Sequence, residues 1–178
     1  GVQRETLAGA LRGFAQLFTF PHTWGILALG AVAYASFVTL RGLWLGPVLV
    51  ERYALSLVQA GNVAVVVTVV SLVGPPLFGR LDPGDRTRRR WIVGCALLSA
   101  ALFGVLAPGL GLALDVAVLV LLSLVLGFMV LQYADVRSAY PPAMTGRALS
   151  LFTMSMFLGV ALVQWLTGLV AEAAQGLG

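Results

Sequence analysis

Five long apolar segments constrain this chain more than any other feature of its sequence. A helix needs about 20 mainly apolar residues to cross about 30 Å of hydrocarbon. Backbone amides in lipid must bond within their own segment, and these runs lack the alternation of barrel strands. The sequence therefore predicts an all-α integral membrane bundle with five transmembrane helices, over about residues 24–50, 57–79, 91–107, 112–134 and 147–171.

The composition excludes an ordinary soluble domain. Of the 178 residues, 60% are hydrophobic and 10% are charged, whereas about a quarter of the residues of a soluble domain are charged. The mean hydropathy of +0.97 also excludes a disordered chain. One cysteine, Cys95, and one histidine, His22, cannot form a disulfide framework or a metal cluster, so no cofactor is predicted. Since no nucleophile, base and orienting acid converge in the sequence, we expect no enzyme activity.

The arginines predict the orientation of the spans, because cytoplasmic loops carry the excess of basic residues. With the N-terminus inside, the outer loops hold only Arg52. The inner segments hold nine arginines: Arg4, Arg12, Arg80, Arg86, Arg88, Arg89, Arg90, Arg137 and Arg147. We therefore predict an integral protein of a bacterial cytoplasmic (inner) membrane with its N-terminus in the cytoplasm. This bias accounts for the net charge of +4 without a nucleic-acid partner.

The residues before the first span differ from the rest. Residues 1–22 are predicted to form a cytoplasmic linker with an interfacial helix, and residues 23–178 the membrane segment. Four apolar linker residues recur at helical spacing: Leu7, Leu11, Phe14 and Phe18. His22 has no acid nearby in sequence and is interpreted as a solvated histidine at the membrane boundary. Asp135 and Arg137, at the end of the fourth span, are interpreted as boundary charges.

Small residues and prolines predict where helices approach closely or break. Small residues spaced by four let helix backbones approach each other. Two such patterns occur, Ala96-Ala100-Gly104 in the third span and Ser155-Gly159 in the fifth. Proline removes a helical hydrogen bond, so kinks or ends are predicted at two motifs, Gly46-Pro47 and Gly74-Pro75-Pro76.

Arg41 is the most informative single position, because it is a charge inside the first apolar span. A charge at the centre of a membrane helix costs at least ~2.5 kcal/mol and usually faces a wet cavity or a partner. Helical steps of three and four place it on one face with Tyr34, Phe37 and Trp44. This face could hold an anionic or polar substrate. The alternative is that the long side chain reaches the outer headgroups beside Trp44.

Four other polar side chains are weaker candidates for the same substrate cavity. Gln164 lies at a depth in the fifth span comparable to that of Arg41 and could meet Arg41 or a substrate. A simple hydrogen bond between helices is the alternative. The other candidates are Asn62, Gln132 and Tyr133. No Asp or Glu lies at mid-membrane, so the segment offers no obvious proton-carrying carboxylate.

Three segments carry a family resemblance. The first, Arg41-Gly42-Leu43-Trp44-Leu45-Gly46-Pro47, closes the first span, and the second is the arginine-rich loop after the second span. The third, Tyr140-Pro141-Pro142-Ala143-Met144-Thr145-Gly146-Arg147, leads into the fifth span. With a linker helix before five spans, the chain resembles the C-terminal half of a major facilitator superfamily transporter. Such halves have six helices, so the resemblance implies that the sixth is missing.

The loop of residues 79–90 is similar to the superfamily's Gly-x-Leu-x-Asp-Arg-x-Gly-Arg-Arg loop. It departs from that pattern through extra residues around Pro83-Gly84 and through Thr87 in place of a glycine. The resemblance implies a charge-pair latch that holds one conformation of the transport cycle. Its residues would be Gly79, Asp85, Arg86 and Arg90, with Asp82 as a rival for Asp85.

The resemblance implies a secondary active transporter that moves a small solute by alternating access. Its expected partners are membrane lipid, a small-molecule substrate and the N-terminal six-helix half of the same transporter. The alternative is a membrane scaffold or assembly subunit that does not transport and whose small-residue faces bind partner helices.

Overall fold

The computed structural model describes residues 7–175, without the side chains of residues 7, 8, 10, 11 and 175. All regular structure in this part of the chain is helical. A short helix α1, Leu7–Leu17, precedes five longer ones: α2 Pro21–Arg52, α3 Leu57–Arg80, α4 Asp85–Leu106, α5 Leu112–Ala139 and α6 Thr145–Gln175. Each of these five is long and apolar enough to cross a membrane. The prediction of an all-α five-helix membrane bundle is confirmed.

Two ends of the bundle are distinguished by their loops. The arginine-rich end holds residues 80–90 and 139–145, and the opposite end holds residues 52–57 and 106–112. Helix α5 is the most buried of the five, and its inward side chains include Leu122, Phe128 and Val136. The core therefore forms around α5.

Helix α1 exists as predicted; of the predicted apolar stripe, Phe14 packs on the bundle and Phe18 does not. Gly13 and Leu17 are buried, and a Cβ added at Gly13 would lie 2.5 Å from the Arg147 guanidinium of α6. Phe18, in contrast, is 38% exposed. Arg4 and the side chains of Leu7 and Leu11 lie outside the described residues. The division of the chain at residue 22 stays a prediction.

Helix α2 is irregular at its far end. Two π-helical segments, Leu40–Trp44 and Val48–Arg52, flank the short α-helical stretch Leu45–Pro47. Pro47 cannot donate a backbone hydrogen bond, yet the helix continues past it to Arg52. The alternative that Gly46-Pro47 ends the helix is therefore wrong.

Helices α3 and α5 cross backbone to backbone at two glycines. A Cβ added at Gly127 would lie 2.3 Å from the carbonyl carbon of Gly74, and one added at Gly74 would lie 2.7 Å from the Leu124 carbonyl oxygen. Pro75 and Pro76 follow directly, and α3 continues to Arg80. Gly74-Pro75-Pro76 therefore marks a helix crossing, and the alternative that the helix ends there is wrong.

Helices α2 and α6 pack through a second set of small residues. A Cβ added at Gly159 would lie 2.7 Å from the Ala31 carbonyl oxygen, and the Ser155 hydroxyl donates a 3.4 Å hydrogen bond to the Leu27 carbonyl oxygen. The predicted contact at Ser155-Gly159 is confirmed.

The corresponding pattern in the third span makes a helix contact at only one of its three positions within residues 7–175, so this interface stays a prediction. Ala100 is exposed, and a Cβ at Gly104 would meet nothing within 4 Å among the described residues. Only Ala96 packs, half-buried, against the core around α5.

The crossing of α3 and α5 at Gly74 and Gly127 predicts that an added methyl group lowers stability at the crossing but not at an open glycine. We expect Gly127→Ala to lower the free energy of unfolding by about 1–3 kcal/mol, because the new methyl overlaps the α3 backbone. Gly104→Ala is the matched control and should be neutral or stabilising by about 0.4–1 kcal/mol, since its methyl meets open space. Thermal unfolding of the full-length protein in nanodiscs measures both. Equal stability of the two variants would contradict the crossing.

Candidate functional site

Arg41 lies on an aromatic surface of α2, within the π-helical segment Leu40–Trp44. Its guanidinium carbon is 5.7 Å from the ring centroid of Phe37, a distance typical of cation–π contacts. The side chain is exposed, and no carboxylate lies within 4.0 Å of it in the described part of the chain. Single π-helical turns occur frequently at functional sites. Arg41 is thus a cation with an aromatic neighbour and no ion pair among residues 7–175, although the Glu51 carboxylate lines the cavity beside it.

A cavity of about 440 Å³ lies beside Arg41, between α2 and α3. Arg41, Pro47 and Glu51 line it from α2, and Leu57 and Gly61 line it from α3. Asn62 is exposed and does not line this cavity, so the structure does not bring it to Arg41.

Two contacts join α2 to α6 through aromatic residues predicted to share a face with Arg41, although these residues do not line the cavity beside Arg41. The rings of Tyr34 and Phe157 meet edge to face with centroids 5.8 Å apart. The Trp44 indole N–H donates a 3.3 Å hydrogen bond to the Thr167 hydroxyl. Gln164 lies one turn before Thr167 and is half-buried, and no hydrogen bond joins it to Arg41 within residues 7–175. Thr167 was missed by the sequence reasoning, although it follows Gln164 by one helical turn.

Gln132 and Tyr133 are neighbours in sequence but face different sides of α5. The Tyr133 hydroxyl lies 3.4 Å from the Thr153 hydroxyl of α6, and its ring packs edge to face on Phe152. Gln132 is buried and lines a separate cavity between α2, α4 and α5. Successive residues of a helix point about 100° apart, which explains the separation. The two predicted residues therefore do not share one site.

His22 is not the solvated histidine that the sequence predicted. Its ring lies 5.0 Å from Tyr140 and 5.5 Å from Phe20, centroid to centroid. Its Nε2 atom is buried without a hydrogen-bond partner in the described structure. The histidine lines the same cavity as Gln132.

The loop at the arginine-rich end contains an ion-pair network centred on Arg88. Its guanidinium donates to both carboxylate oxygens of Asp82 at 2.8–3.1 Å, to Asp85 at 2.5 Å and to the Ser138 hydroxyl at 3.1 Å. Arg88 itself is only 8% exposed. The network thus links the loop and α4 to α5.

The loop residues predicted from the sequence contribute unequally to this network. Arg86 and Arg90 are exposed and form no ion pair within the described residues, whereas Arg88 forms two. The Asp82 side chain is 26% exposed and that of Asp85 is 74% exposed, so Asp82 is the more enclosed carboxylate. Hydrogen bonds from Arg88 hold the pKa of Asp82 below its ordinary value.

The extra residues of the loop also have a structural role. Gly84 has a φ of 77°, a conformation that favours glycine, and its backbone N–H donates to Asp82 at 3.0 Å. The extra residues around Pro83-Gly84 therefore supply Asp82 with one more hydrogen-bond donor, the backbone N–H of Gly84. A Cβ at Gly79 would meet nothing within 4 Å in the described chain, so no close packing requires glycine at this position.

Asp135 is not a boundary charge as predicted. It is 7% exposed, and it accepts a 3.0 Å hydrogen bond from Arg89. Arg137, two residues further on, is exposed. The ion pair of Arg89 and Asp135 joins α4 to α5 at the arginine-rich end.

Hydrogen bonds from Arg52 and Tyr53, at the opposite end of the bundle, join the end of α2 to α4 and to α5. Arg52 donates to the carbonyl oxygens of Leu106 and Ala107, each at 3.3 Å, and so caps the end of α4. The Tyr53 hydroxyl donates to Asp115, which is 3% exposed. This hydrogen bond to the carboxylate raises the pKa of Tyr53.

Five apolar helices with a charged aromatic surface and a networked basic loop are typical of a membrane transporter bundle. A family model of the Major Facilitator Superfamily matches residues 3–173, and the chain therefore belongs to this superfamily of transporters. No curated protein and no solved structure matches the chain.

The loop network predicts a pH-dependent contribution to stability. A carboxylate whose pKa is lower in the folded than in the unfolded protein stabilises the fold at pH values above the unfolded pKa, which is 3.8 for Asp82. This stabilisation is lost as the pH falls through the lower pKa of the folded protein. We expect Asp82→Asn to cost about 1 kcal/mol or more at pH 7, and the difference from wild type to shrink below about pH 4. Thermal unfolding of the wild type and the variant between pH 7 and pH 3 measures this difference.

Asp85→Asn is the control for this prediction. It should cost less than Asp82→Asn, because exposed ion pairs contribute about 0–1 kcal/mol. A larger loss for Asp85→Asn, or a difference for Asp82→Asn that grows on acidification, would contradict the assignment.

Proposed function

We propose that this chain is part of a secondary active transporter that binds a small anionic or polar solute at the Arg41 surface. That surface comprises Arg41 with Tyr34, Phe37, Trp44 and Gln164. The observation that carries the proposal is the guanidinium of Arg41, which lies in an apolar span without a carboxylate partner in the described chain. A charge in such a position costs free energy unless a ligand or water solvates it.

The chemistry of the surface supports an anionic or polar solute. A guanidinium offers five N–H donors in a planar fork, which suits a carboxylate or phosphate. The Arg41 guanidinium carbon lies over the Phe37 ring, and its N–H groups donate no hydrogen bond within the described chain, so they are available to a ligand. Tyr34 and Trp44 add apolar area with one polar atom each, so they suit the body of a small solute.

We propose that the chain moves as one body during transport. The close contacts at Gly74 and Gly159 leave no room for helices to slide past each other. Hydrogen bonds at the two ends of the bundle, from Arg52 to Leu106 and from Arg89 to Asp135, also join α2 to α4 and α4 to α5. Alternating access would then be a rocking motion against a partner half of the same transporter, around a solute near the membrane midplane.

The proposed setting is a bacterial cytoplasmic membrane with the arginine-rich end in the cytoplasm, as the distribution of arginines favours. The Arg88 network would then lie at the cytoplasmic surface. By resemblance to the superfamily's loop, we propose that it contributes to a latch of one transport state, with Arg88 in the place predicted for Arg86 or Arg90.

Substitution of Arg41 tests the proposed solute site. A screen of small anions by thermal shift on the full-length protein identifies a stabilising solute, and uptake of that solute is then measured in proteoliposomes. We expect Arg41→Gln to weaken binding and uptake about tenfold or more, because the charge-assisted hydrogen bonds are lost. Arg41→Lys should recover only part of the activity, since lysine lacks the planar fork.

Arg137→Gln is the matched control, because Arg137 is an exposed arginine far along the chain from this surface. It should leave binding and uptake unchanged. If Arg41→Gln folds and transports the same solute as well as wild type, the proposed site is wrong.

A further inference from the structure

One side of α4 turns away from the core of the bundle. Four residues of this side follow one another at helical steps of four and three, and all are exposed: Arg86, Arg90, Gly94 and Leu97. The buried residues of α4 lie on the opposite side of the helix: Arg88, Ile92, Ser99 and Leu102. We call the four exposed residues the outer face of α4. This face is charged at the arginine-rich end and becomes apolar further along the helix.

Arg86 and Arg90 are two positive charges that nothing in the described chain neutralises. Neither forms an ion pair or a side-chain hydrogen bond within residues 7–175. The nearby acids are paired with other arginines, Asp82 and Asp85 with Arg88 and Asp135 with Arg89. The Cβ atoms of residues four apart on a helix are separated by about 5–6 Å, so both free guanidinium groups can reach one anionic group.

A shallow groove runs along α4 beside these arginines. Its volume is about 470 Å³; Arg89 and Arg90 border it, and Val93, Gly94 and Leu97 line the rest. A Cβ at Gly94 would meet nothing within 4 Å in the described structure, so the absence of a side chain keeps the groove open. Leu97 is 66% exposed and lies about 10 Å from Arg90 along the helix axis. The groove therefore leads from the charged end into the apolar part of the span.

An anionic phospholipid matches both parts of this face. Its phosphate accepts charge-assisted hydrogen bonds from guanidinium groups, and its acyl chain matches the apolar groove. A zwitterionic lipid would bring its amine close to two arginines, with no unpaired carboxylate near them in the described chain. A free phosphate would leave the apolar groove unoccupied.

A further helix of the protein is a poorer match for the outer face. An apolar helix laid over it would bury two arginines without a counter-ion, which is costly in hydrocarbon. A helix packed between α2 and α4 would lie on the side of Arg89 and Val93, which line the groove between those two helices. Arg90, Gly94 and Leu97 do not line that groove and would stay open to lipid.

We propose that the outer face of α4 binds an anionic phospholipid, with its phosphate held by Arg86 and Arg90 and an acyl chain along Gly94 and Leu97. The site requires only the membrane-spanning bundle, so it does not depend on the proposed solute surface. A lipid that binds the folded bundle and not the unfolded chain raises the thermal stability of the protein.

Lipid-dependent thermal shift of the full-length protein in a nonionic detergent tests the proposal. Dioleoylphosphatidylglycerol is the probe, dioleoylphosphatidylcholine has the same chains on a zwitterionic headgroup, and glycerophosphoglycerol is the anionic headgroup without chains. We expect the anionic lipid to stabilise the protein at about tenfold lower concentration than the zwitterionic lipid, and the free headgroup to have no effect. Equal stabilisation by the two lipids, or by the anionic lipid and its free headgroup, would overturn the proposal.

The double variant Arg86→Gln/Arg90→Gln removes the two unpaired charges. We expect it to unfold at the wild-type temperature without lipid, since both side chains are exposed, and to bind the anionic lipid about tenfold or more weakly. Arg80→Gln/Arg137→Gln is the matched control, because it has the same net charge and removes two exposed arginines of the same end. It should bind like the wild type. Unchanged affinity of the first variant, or an equal loss in both, would overturn the proposal.

Gly94→Leu fills the groove and tests the acyl-chain contact. We expect it to fold, since the new side chain enters open space, and to bind the anionic lipid about threefold or more weakly, because the chain is displaced. Gly94→Ala adds less volume and should weaken binding less. Wild-type affinity of Gly94→Leu would overturn the assignment of the groove to the lipid.

Discussion

Peptide groups in hydrocarbon find no water to bond to, so they must form their hydrogen bonds within the protein, and this constraint governs the whole chain. It requires each apolar run to be a helix, and the length of hydrocarbon then sets the length of each helix. A helix that is apolar on all sides gains little free energy when one of its faces moves from contact with lipid to contact with another helix. Their association depends on close packing and on a few polar contacts. The arrangement of the bundle therefore rests on small residues inside the spans and on charged side chains at their ends.

Both kinds of contact are distributed in a way that supports one rigid unit. Glycines allow the α3 backbone to cross that of α5 and the α6 backbone to lie against that of α2, so both helix pairs include direct backbone contact. Arg52 and Asp115 join helix ends on one side, and Arg88 and Arg89 do so on the other. Buried polar atoms without a partner among the described residues occur on His22, Thr39, Asp115 and Gln132, and Thr39 lines none of the cavities described above.

The spans could be predicted from the sequence because length and apolar content alone specify a membrane helix. The contacts between them could not, because the middle of a helix such as α5 is apolar on nearly every side and has no polar face to reveal its orientation. Gly127, the partner of Gly74, gave no signal for this reason, and Gln132 was grouped with Tyr133 although they point apart. The loop pattern likewise indicated arginine pairing, but the insertion at Pro83-Gly84 shifted the paired position to Arg88. His22 became enclosed through Tyr140, which is distant in sequence and was not foreseeable from local pattern.

The central claim is that the five helices cross a membrane with the arginine-rich end in the cytoplasm. Single cysteines in a Cys95→Ser background test it, one at Pro142 in the arginine-rich end and one at Leu110 in the opposite end, both exposed. A membrane-impermeant maleimide is applied to right-side-out and to inside-out vesicles. The account predicts that Leu110→Cys reacts only in right-side-out vesicles and Pro142→Cys only in inside-out vesicles. Reaction of both positions from the same side, or the reverse pattern, would contradict it.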